Sequence, residues 1–122
     1  EITYGLERIA MYVQNVDSIF DIMWSKKLKY SDLFYEKERQ MCHYYKDESN
    51  IENLFDQFQK SEIECEKLTA KNLPEAAYEM VLTCSNTLNL LDARGALSQI
   101  ERKSYILRVR NLVKGVCEKI II

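Results

Sequence analysis

Two candidate capping boxes predict where two long helices of this chain begin. Residues 49–52 and 98–101 both read serine, two further residues, then glutamate. In such a box the serine hydroxyl and the glutamate each bond a free backbone N–H of the first helical turn. Apolar residues follow both boxes at helical spacing, as far as about residue 71 and about residue 120. The predicted inward faces are Ile51, Leu54, Phe55, Phe58, Cys65 and Leu68 after the first box, and Ile106, Val109, Val113, Val116 and Ile120 after the second.

Glycine and proline are scarce, which favours a helical chain with short connections. The 122 residues include three glycines and one proline. Pro74 suits the first turn of a further helix, and Gly95 is a natural place for that helix to end. Ser31 can cap another helix over residues 32–46. The side chains predicted to face inward on these two helices are Ala77, Tyr78, Val81, Leu82, Leu88 and Leu91, and Leu33, Phe34, Met41, Tyr44 and Tyr45. The expected fold is mainly α, a helical bundle.

The opening stretch predicts a strand that turns into a helix at Gly5. Ile2, Thr3 and Tyr4 favour an extended strand, whereas apolar residues at 6, 9, 10 and 13 have the spacing of one helix face. Glycine permits backbone angles closed to other residues and lets a ligand approach the main chain. The first turn of a helix offers free N–H groups, and Arg8 adds a planar, charged fork that matches phosphate oxygens, with Glu7 on a different face. The junction suits an anion, although such a charge pair more often lies solvated over a core helix.

Residues 15–24 are predicted to form a bend followed by a short packed segment. Asn15 tolerates the left-handed conformation that ends a helix. Asp17 and Ser18 can cap the segment that follows. Its predicted inward side chains are Ile19, Phe20, Met23 and Trp24.

The cysteines and hydropathy exclude several classes of protein. The four cysteines form no C-x-x-C pair and the chain has one histidine, so a zinc site or redox motif is not expected. Each cysteine falls at or near an apolar helix face, which predicts buried, reduced thiols. No apolar run approaches the length of a membrane span, and no signal peptide opens the chain. We therefore expect a soluble, cytoplasmic protein. Because the chain begins without methionine, we also expect a longer natural chain.

Charge is unevenly distributed along the sequence. Residues 47–79 carry nine acidic and three basic side chains, whereas residues 94–122 carry seven basic and two acidic ones. Lys103, Arg110 and Lys114 share one flank of the last predicted helix. This flank could meet RNA phosphates or an acidic partner surface. Equally, it could balance the acidic helix at residues 49–71.

The sequence around Arg8 resembles that of a known family. They read Thr3-Tyr4-Gly5-Leu6-Glu7-Arg8-Ile9-Ala10-Met11-Tyr12, followed by Val16-Asp17-Ser18. This stretch resembles the third signature motif of class II aminoacyl-tRNA synthetases, and more narrowly the α subunit of the two-subunit bacterial glycyl-tRNA synthetase. A second stretch, residues 86–96 running on through residues 105–112, is similar to the same family. The resemblance implies that residues 1–24 end a catalytic domain and that residues 25–122 form a C-terminal helical domain.

The resemblance also implies an activity and roles for named residues. Glycine and ATP would condense to glycyl-adenylate, and the glycyl group would pass to tRNA(Gly). Arg8 matches the motif arginine that lies against the ATP γ-phosphate. Glu7 would orient that arginine or polar substrate groups, and Gly5 and Thr3 would lie at the bound ATP. The family implies ATP and Mg²⁺ as cofactors and, as partners, a β subunit, a second α subunit in an α2β2 assembly, and tRNA.

The resemblance covers only part of the class II pattern, which limits what these residues can do alone. The first two class II motifs have no counterpart here, so we expect the segment by itself to be inactive and Mg²⁺ to be held mainly by the missing core. Asp92 and Arg94 in the second stretch are expected to be structural, and Lys103, Arg110 and Lys114 to contact the β subunit or tRNA. The alternative is a non-catalytic helical protein-interaction module, which explains the amphipathic helices equally well.

Overall fold

The computed structural model describes residues 3–120 and contains five α-helices within them. The helices are α1 (Leu6–Gln14), α2 (Tyr30–His43), α3 (Ile51–Ala70), α4 (Pro74–Ala93) and α5 (Gln99–Ile120). A 3-10 turn, Ile19–Asp21, lies between α1 and α2, and a π-helical turn, Tyr44–Glu48, lies between α2 and α3. The mainly α fold is therefore confirmed.

The chain divides between Tyr44 and Tyr45 into two compact units. The first unit contains α1 and α2, and the second contains α3, α4 and α5. The predicted end of a catalytic domain at residue 24 falls inside the first unit and remains a prediction.

The core of the second unit is formed by the inward stripes of its three helices. Phe58 and Cys65 of α3, Cys84 of α4 and Val116 of α5 are completely buried within one apolar cluster. The other buried members of the cluster are Ala77, Val81, Leu88 and Leu112. Apolar periodicity predicted most of these positions because each stripe repeats at the helical period.

Three side chains predicted to lie in that core are instead exposed. Ile120 of α5 exposes 57% of its surface, so its assignment to the inward face was wrong. Tyr78 and Leu82 of α4 each expose 46% of their surface. At roughly 100° of rotation per residue they lie about 100° and 140° around the helix from Ala77, on its outer side. The interpretation of Tyr78 and Leu82 as core residues was therefore wrong.

The helix boundaries in the second unit follow from local chemistry. The Ser98 amide donates to a Glu101 carboxylate oxygen at 2.8 Å, and the Glu101 amide donates to the Ser98 hydroxyl at 3.2 Å, which confirms that capping box. At α3 the cap is Asn50, whose side-chain oxygen accepts from the Asn53 amide at 2.9 Å, rather than Ser49. Pro74 occupies the first turn of α4, and Gly95 follows α4 with a left-handed φ of 63°.

The first unit is held together chiefly by aromatic side chains. The ring centroids of Phe20 and Tyr35 lie 5.1 Å apart, those of Tyr30 and Phe34 lie 4.6 Å apart, and those of Trp24 and Phe34 lie 5.5 Å apart. These geometries are tilted or edge-to-face, the arrangements that aromatic rings prefer. Phe20, Trp24 and Phe34 were predicted to face inward, but the pairing of these rings was not predicted, because helical periodicity does not report contacts between elements.

Residues 15–24 form the predicted bend and cap, but the side chains that they bury differ from the prediction. Asn15 ends α1 in the left-handed conformation, as predicted, with φ 54° and ψ 52°. The Ser18 hydroxyl accepts from the Phe20 amide at 3.3 Å, so the predicted cap is confirmed. Met23 and Trp24, predicted to face inward, are exposed, and the buried residue is Ile22. A 3-10 turn has three residues per turn, so it presents different side chains from an α-helix.

Helix α2 begins and packs differently from the prediction. It starts at Tyr30 because the Asp32 carboxylate accepts from the Lys29 amide at 2.8 Å, so Ser31 is not the cap. Leu33, Tyr44 and Tyr45 are exposed, whereas they were predicted to be inward. The remaining predicted inward residues, Phe34 and Met41, are half-buried.

The predicted strand at the beginning of the chain is not seen. Thr3 and Tyr4 have no regular secondary structure, and Ile2 lies outside the described residues. Strands form by pairing. Within residues 3–120 the single isolated bridge joins Met23 and Lys29.

The four cysteines are free thiols, as predicted, but only two are buried. Cys65 and Cys84 lie in the core, whereas Cys42 and Cys117 are exposed. Burial raises the pKa of the Cys84 thiol to about 11. No helix formed by the described residues is both long and apolar enough to cross a membrane.

Candidate functional site

Gly5 is the residue at which α1 begins, and its backbone is unexceptional. It caps the helix in an extended conformation with φ −70° and ψ 92°, angles open to any residue. A Cβ placed on Gly5 would lie 3.8 Å from the side-chain carbons of Arg8, an ordinary contact distance. Gly5 therefore does not use the backbone angles that only glycine permits.

Glu7 and Arg8 occupy the first turn of α1, and both are exposed. The stem of Arg8 lies beside Gly5. Neither side chain forms an ion pair with another residue in the described part of the chain. The structure thus brings Gly5 and Arg8 together at the helix N-terminus, with the guanidinium open to solvent. Thr3, two residues before Gly5, is also exposed.

A pocket of about 370 Å³ lies inside the first unit, and Glu7 is one of the residues that line it. Its lining consists of Leu6, Glu7, Ala10, Gln14, Ile22, Met23, Trp24 and Tyr30. The Gln14 amide holds one wall in place, since it accepts from the Met23 amide at 2.7 Å and donates to the Met23 carbonyl at 3.1 Å. Glu7 contributes the charged group of an otherwise mostly apolar lining. The pocket could not be predicted from the sequence, because Gln14 shapes it by bonding Met23, which lies nine residues further along the chain.

The predicted basic flank of α5 is a solvent-exposed surface. Lys103, Arg110 and Lys114 are all exposed. Lys114 has one weak partner, Glu118, with Nζ and Oε1 3.8 Å apart. Lys103 and Arg110 form no ion pair with any residue between 3 and 120.

A different arginine of α5, Arg108, forms an ion pair with the acidic helix α3. Arg108 makes a two-pronged ion pair with Glu62, with Nε 2.9 Å from Oε1 and Nη2 bonded to Oε2. The guanidinium carbon also lies 4.7 Å from the ring centroid of Phe58 and 4.5 Å from that of Tyr105. The hydrogen bonds that Arg108 donates to the Glu62 carboxylate raise the pKa of Arg108. Among the described residues, the ion pair that joins α3 and α5 is thus made by Arg108 and not by the basic flank.

Asp92 and Arg94, predicted to be structural, hold the corner after α4. Arg94 donates to the Ser49 carbonyl at 3.0 Å and to the Lys46 carbonyl at 2.6 Å. Asp92 accepts from Nε of Arg102 at 3.0 Å. The contacts of Arg94 reach 45 and 48 residues along the chain, so they are not the local pairing that was predicted.

No group of three histidine, cysteine, aspartate or glutamate side chains gathers within residues 3–120 in a way that could hold a metal ion.

A comparison with protein families gives a match over the whole chain. The family model described as glycyl-tRNA synthetase alpha subunit matches residues 1–122. This match confirms the resemblance inferred from the two motif stretches.

Proposed function

The chain belongs to the glycyl-tRNA synthetase alpha subunit family, and we propose that it serves both steps of an ATP-dependent glycine–tRNA ligase. In the first step a carboxylate oxygen of glycine attacks the α-phosphorus of ATP, and pyrophosphate leaves. In the second step a terminal hydroxyl of tRNA(Gly) attacks the glycyl carbonyl carbon, and AMP leaves. The observation that carries this proposal is the family match across the whole chain.

Neither step needs a nucleophilic side chain from the protein. Catalysis of this kind rests on holding the reacting groups in line and on stabilising the charge that develops on the phosphates. The groups required are donors and cations placed where the triphosphate lies. The class II resemblance implies that residues 3–8 of this chain lie at the triphosphate.

Arg8 is proposed to bind the γ-phosphate of ATP. Its exposure and its freedom from ion pairs within the described chain leave the guanidinium available to a bidentate phosphate contact. A cation in the first turn of a helix also faces the positive end of the helix dipole, which costs about 0.3–1 kcal/mol in water. A bound phosphate would remove that cost, so the position favours an arginine that works with an anionic ligand.

Glu7, Gly5 and Thr3 are proposed to complete the nucleotide side of the site. Glu7 is exposed between Arg8 and the neighbouring pocket, where it can orient the arginine or accept from polar groups of a substrate. Gly5 presents a main chain without a side chain at the helix start. Thr3 supplies a hydroxyl next to the same turn.

Magnesium accompanies the triphosphate in class II synthetases and would neutralise charge on it. We assign none of its ligands to residues 3–120, and we expect these residues alone to be inactive. The remaining partners of the proposed enzyme are a β subunit, a second α subunit and tRNA(Gly). Lys103, Arg110 and Lys114 are proposed to contact one of these macromolecules.

Amino-acid dependence of ATP–pyrophosphate exchange tests this function directly. The full-length chain together with its β subunit should exchange pyrophosphate into ATP when glycine is present and should show only background exchange with alanine or serine. Exchange that is absent with glycine, in a folded complex, would leave the chain as a non-catalytic helical interaction module.

A further inference from the structure

Gln14 is the last residue of α1, and its side chain bonds the main chain of Met23. The amide oxygen of Gln14 accepts from the Met23 N–H at 2.7 Å, and the amide nitrogen donates to the Met23 carbonyl at 3.1 Å. A primary amide carries a donor and an acceptor in one plane, as a peptide group does. Gln14 therefore pairs with Met23 as a residue of a neighbouring strand would.

Met23 lies in a short hairpin that main-chain hydrogen bonds hold together. Two bonds flank Met23, from the amides of Tyr30 and Trp24 to the carbonyls of Ile22 and Leu28, at 2.7 and 2.8 Å. Because the residues on either side of Met23 make these bonds, its own N–H and C=O point to the outer edge of the hairpin. Gln14 satisfies both groups there. Ile22 is buried, so the hairpin is a fixed support for α1.

The direction of α1 depends on its C-terminal end. Helix α1 has no buried residue in the part of the chain that the structure describes, and Leu6 and Val13 are exposed. Packing therefore contributes little to the orientation of α1, whereas directional hydrogen bonds hold a defined geometry. After α1 the chain turns at Asn15, and the amide of Val16 donates to the carbonyl of Met11 at 3.0 Å. The contact of Gln14 with the hairpin then fixes the helix beyond this turn.

Arg8 lies in the first turn of the same helix, six residues before Gln14. At 1.5 Å and roughly 100° per residue, the two positions are about 9 Å apart along the helix axis and about 120° apart around it. Gln14 thus acts on Arg8 through the helix and not by contact. A tilt of about 10° at the Gln14 end moves the first turn by about 1.5 Å. A misplacement of about 1 Å can cost about a hundredfold in rate.

We propose that Gln14 is a positioning residue for Arg8. Its two hydrogen bonds to Met23 fix the direction of α1 and so hold the Arg8 guanidinium where it meets the γ-phosphate of ATP. Glutamine suits this task because its uncharged amide pairs with both an N–H and a carbonyl, which a carboxylate or an aliphatic side chain of the same length cannot do. This inference rests on the proposed function, in which Arg8 binds ATP.

Variants of the full-length chain, assembled with the β subunit, test the proposal. Gln14→Met keeps the length of the side chain and removes both hydrogen bonds. Gln14→Glu keeps an acceptor for the Met23 N–H and has no donor for the carbonyl. The control is Gln40→Met, which removes an exposed glutamine of α2 that donates to Glu36 at 2.8 Å. Circular dichroism and urea unfolding check that each variant keeps its fold.

The readout is glycine-dependent ATP–pyrophosphate exchange with ATP and glycine varied separately. Gln14→Met should lower kcat/KM for ATP about tenfold and change the KM for glycine less than about twofold, because the misplaced group contacts the nucleotide. Gln14→Glu should show a smaller loss, and Gln40→Met should match the wild type. In the Arg8→Ala background, Gln14→Met should lower exchange by less than about twofold further, since the arginine that it positions is gone.

Two results would overturn this inference and leave the proposed function standing. One is a kcat/KM for ATP within about twofold of wild type in Gln14→Met while Arg8→Ala has lost exchange. The other is an equal loss from Gln14→Met with and without Arg8, which assigns Gln14 a general role in the fold. Wild-type exchange in Arg8→Ala itself removes the proposed role of Arg8, and the role of Gln14 with it.

Discussion

Arg108 of α5 and Glu62 of α3 form a two-pronged ion pair that joins these helices across the second unit, with Nε and Oε1 2.9 Å apart. The side chains expose 34% and 17% of their surfaces, so the pair is only partly hydrated. The guanidinium carbon also lies over the rings of Phe58 and Tyr105, which adds a cation–π contact to the ion pair. An arginine can form the two-pronged ion pair and lie over both aromatic rings at once, and a lysine cannot.

Arg108→Met should therefore destabilise the second unit by about 1–3 kcal/mol, because it leaves the Glu62 carboxylate with little solvent and no partner. Native-state hydrogen exchange of amides in α3 and α5 measures this change. Adding Glu62→Gln to Arg108→Met should restore part of the loss, since no unpaired charge then remains. Equal exchange rates in the wild type and the single variant would show that the ion pair does not stabilise the unit.

Arg94→Ala should loosen the chain before α3. The substitution removes the donors to the carbonyls of Lys46 and Ser49, and Ser49 is buried with 1% of its surface exposed. We expect a loss of about 1–3 kcal/mol, with faster hydrogen exchange at residues 46–53. The control is Arg102→Ala, whose ion pair with Asp92 is exposed and should contribute less than about 1 kcal/mol. Equal effects of the two substitutions would contradict this role for Arg94.

The cysteines should divide into two classes of reactivity. Burial raises the pKa of Cys84 from 9.0 to about 11, so at pH 8 its thiolate fraction is lower than that of an ordinary thiol by about a hundredfold. Pulse alkylation of the native full-length chain at pH 8, followed by peptide mass spectrometry, should label Cys42 and Cys117 first and Cys65 and Cys84 only after denaturation. Labelling of Cys84 as fast as Cys117 would contradict the buried position.

The same raised pKa predicts how stability depends on pH. The neutral thiol is favoured in the folded state, so its contribution is complete below pH 9 and is lost as the pH rises toward 11. Cys84→Ala should flatten the part of the stability curve that falls over this alkaline range. Urea unfolding at pH 8 and pH 10 provides the comparison, and an equal pH dependence in the variant would exclude Cys84 as its source.

Gly5→Ala separates the structural and binding roles of Gly5. The φ of −70° and the 3.8 Å contact with Arg8 leave room for a methyl group, so α1 should form, with a loss of up to about 1 kcal/mol from the poorer helix cap. If ATP approaches the main chain here, the KM for ATP should rise several-fold while the KM for glycine stays the same. An unchanged KM for ATP would place the nucleotide away from Gly5.

Features that arise within one helix could be predicted from the sequence. The capping box at Ser98, the end of α1 at Asn15 and the inward position of Val116 depend on neighbours a few residues away, where spacing is informative. The same spacing wrongly extended the inward face of α5 to Ile120. Contacts between distant residues could not be predicted. Gln14 with Met23, Arg94 with Ser49 and Arg108 with Glu62 join parts of the chain whose proximity no local pattern reports.

In the candidate site, too, some features could be predicted from the sequence and others could not. Sequence placed Glu7 and Arg8 correctly in the first turn of a helix, because the apolar positions of α1 repeat at helical spacing. The sequence could not tell which backbone angles Gly5 adopts, since residue type reveals only which angles are allowed. The roles of Arg8, Glu7, Gly5 and Thr3 come from the family resemblance and remain predictions.

Glycine-dependent ATP–pyrophosphate exchange by the Arg8→Ala variant is the measurement that bears most directly on the proposed site. The full-length variant, assembled with the β subunit, is compared with wild type and with Arg39→Ala, which removes an exposed arginine of α2 that pairs with Glu36. Loss of a preorganised charge at the triphosphate should lower exchange by at least about a hundredfold, whereas Arg39→Ala should leave it near the wild-type rate. Exchange retained in Arg8→Ala within about threefold of wild type would contradict the assignment of Arg8 to ATP.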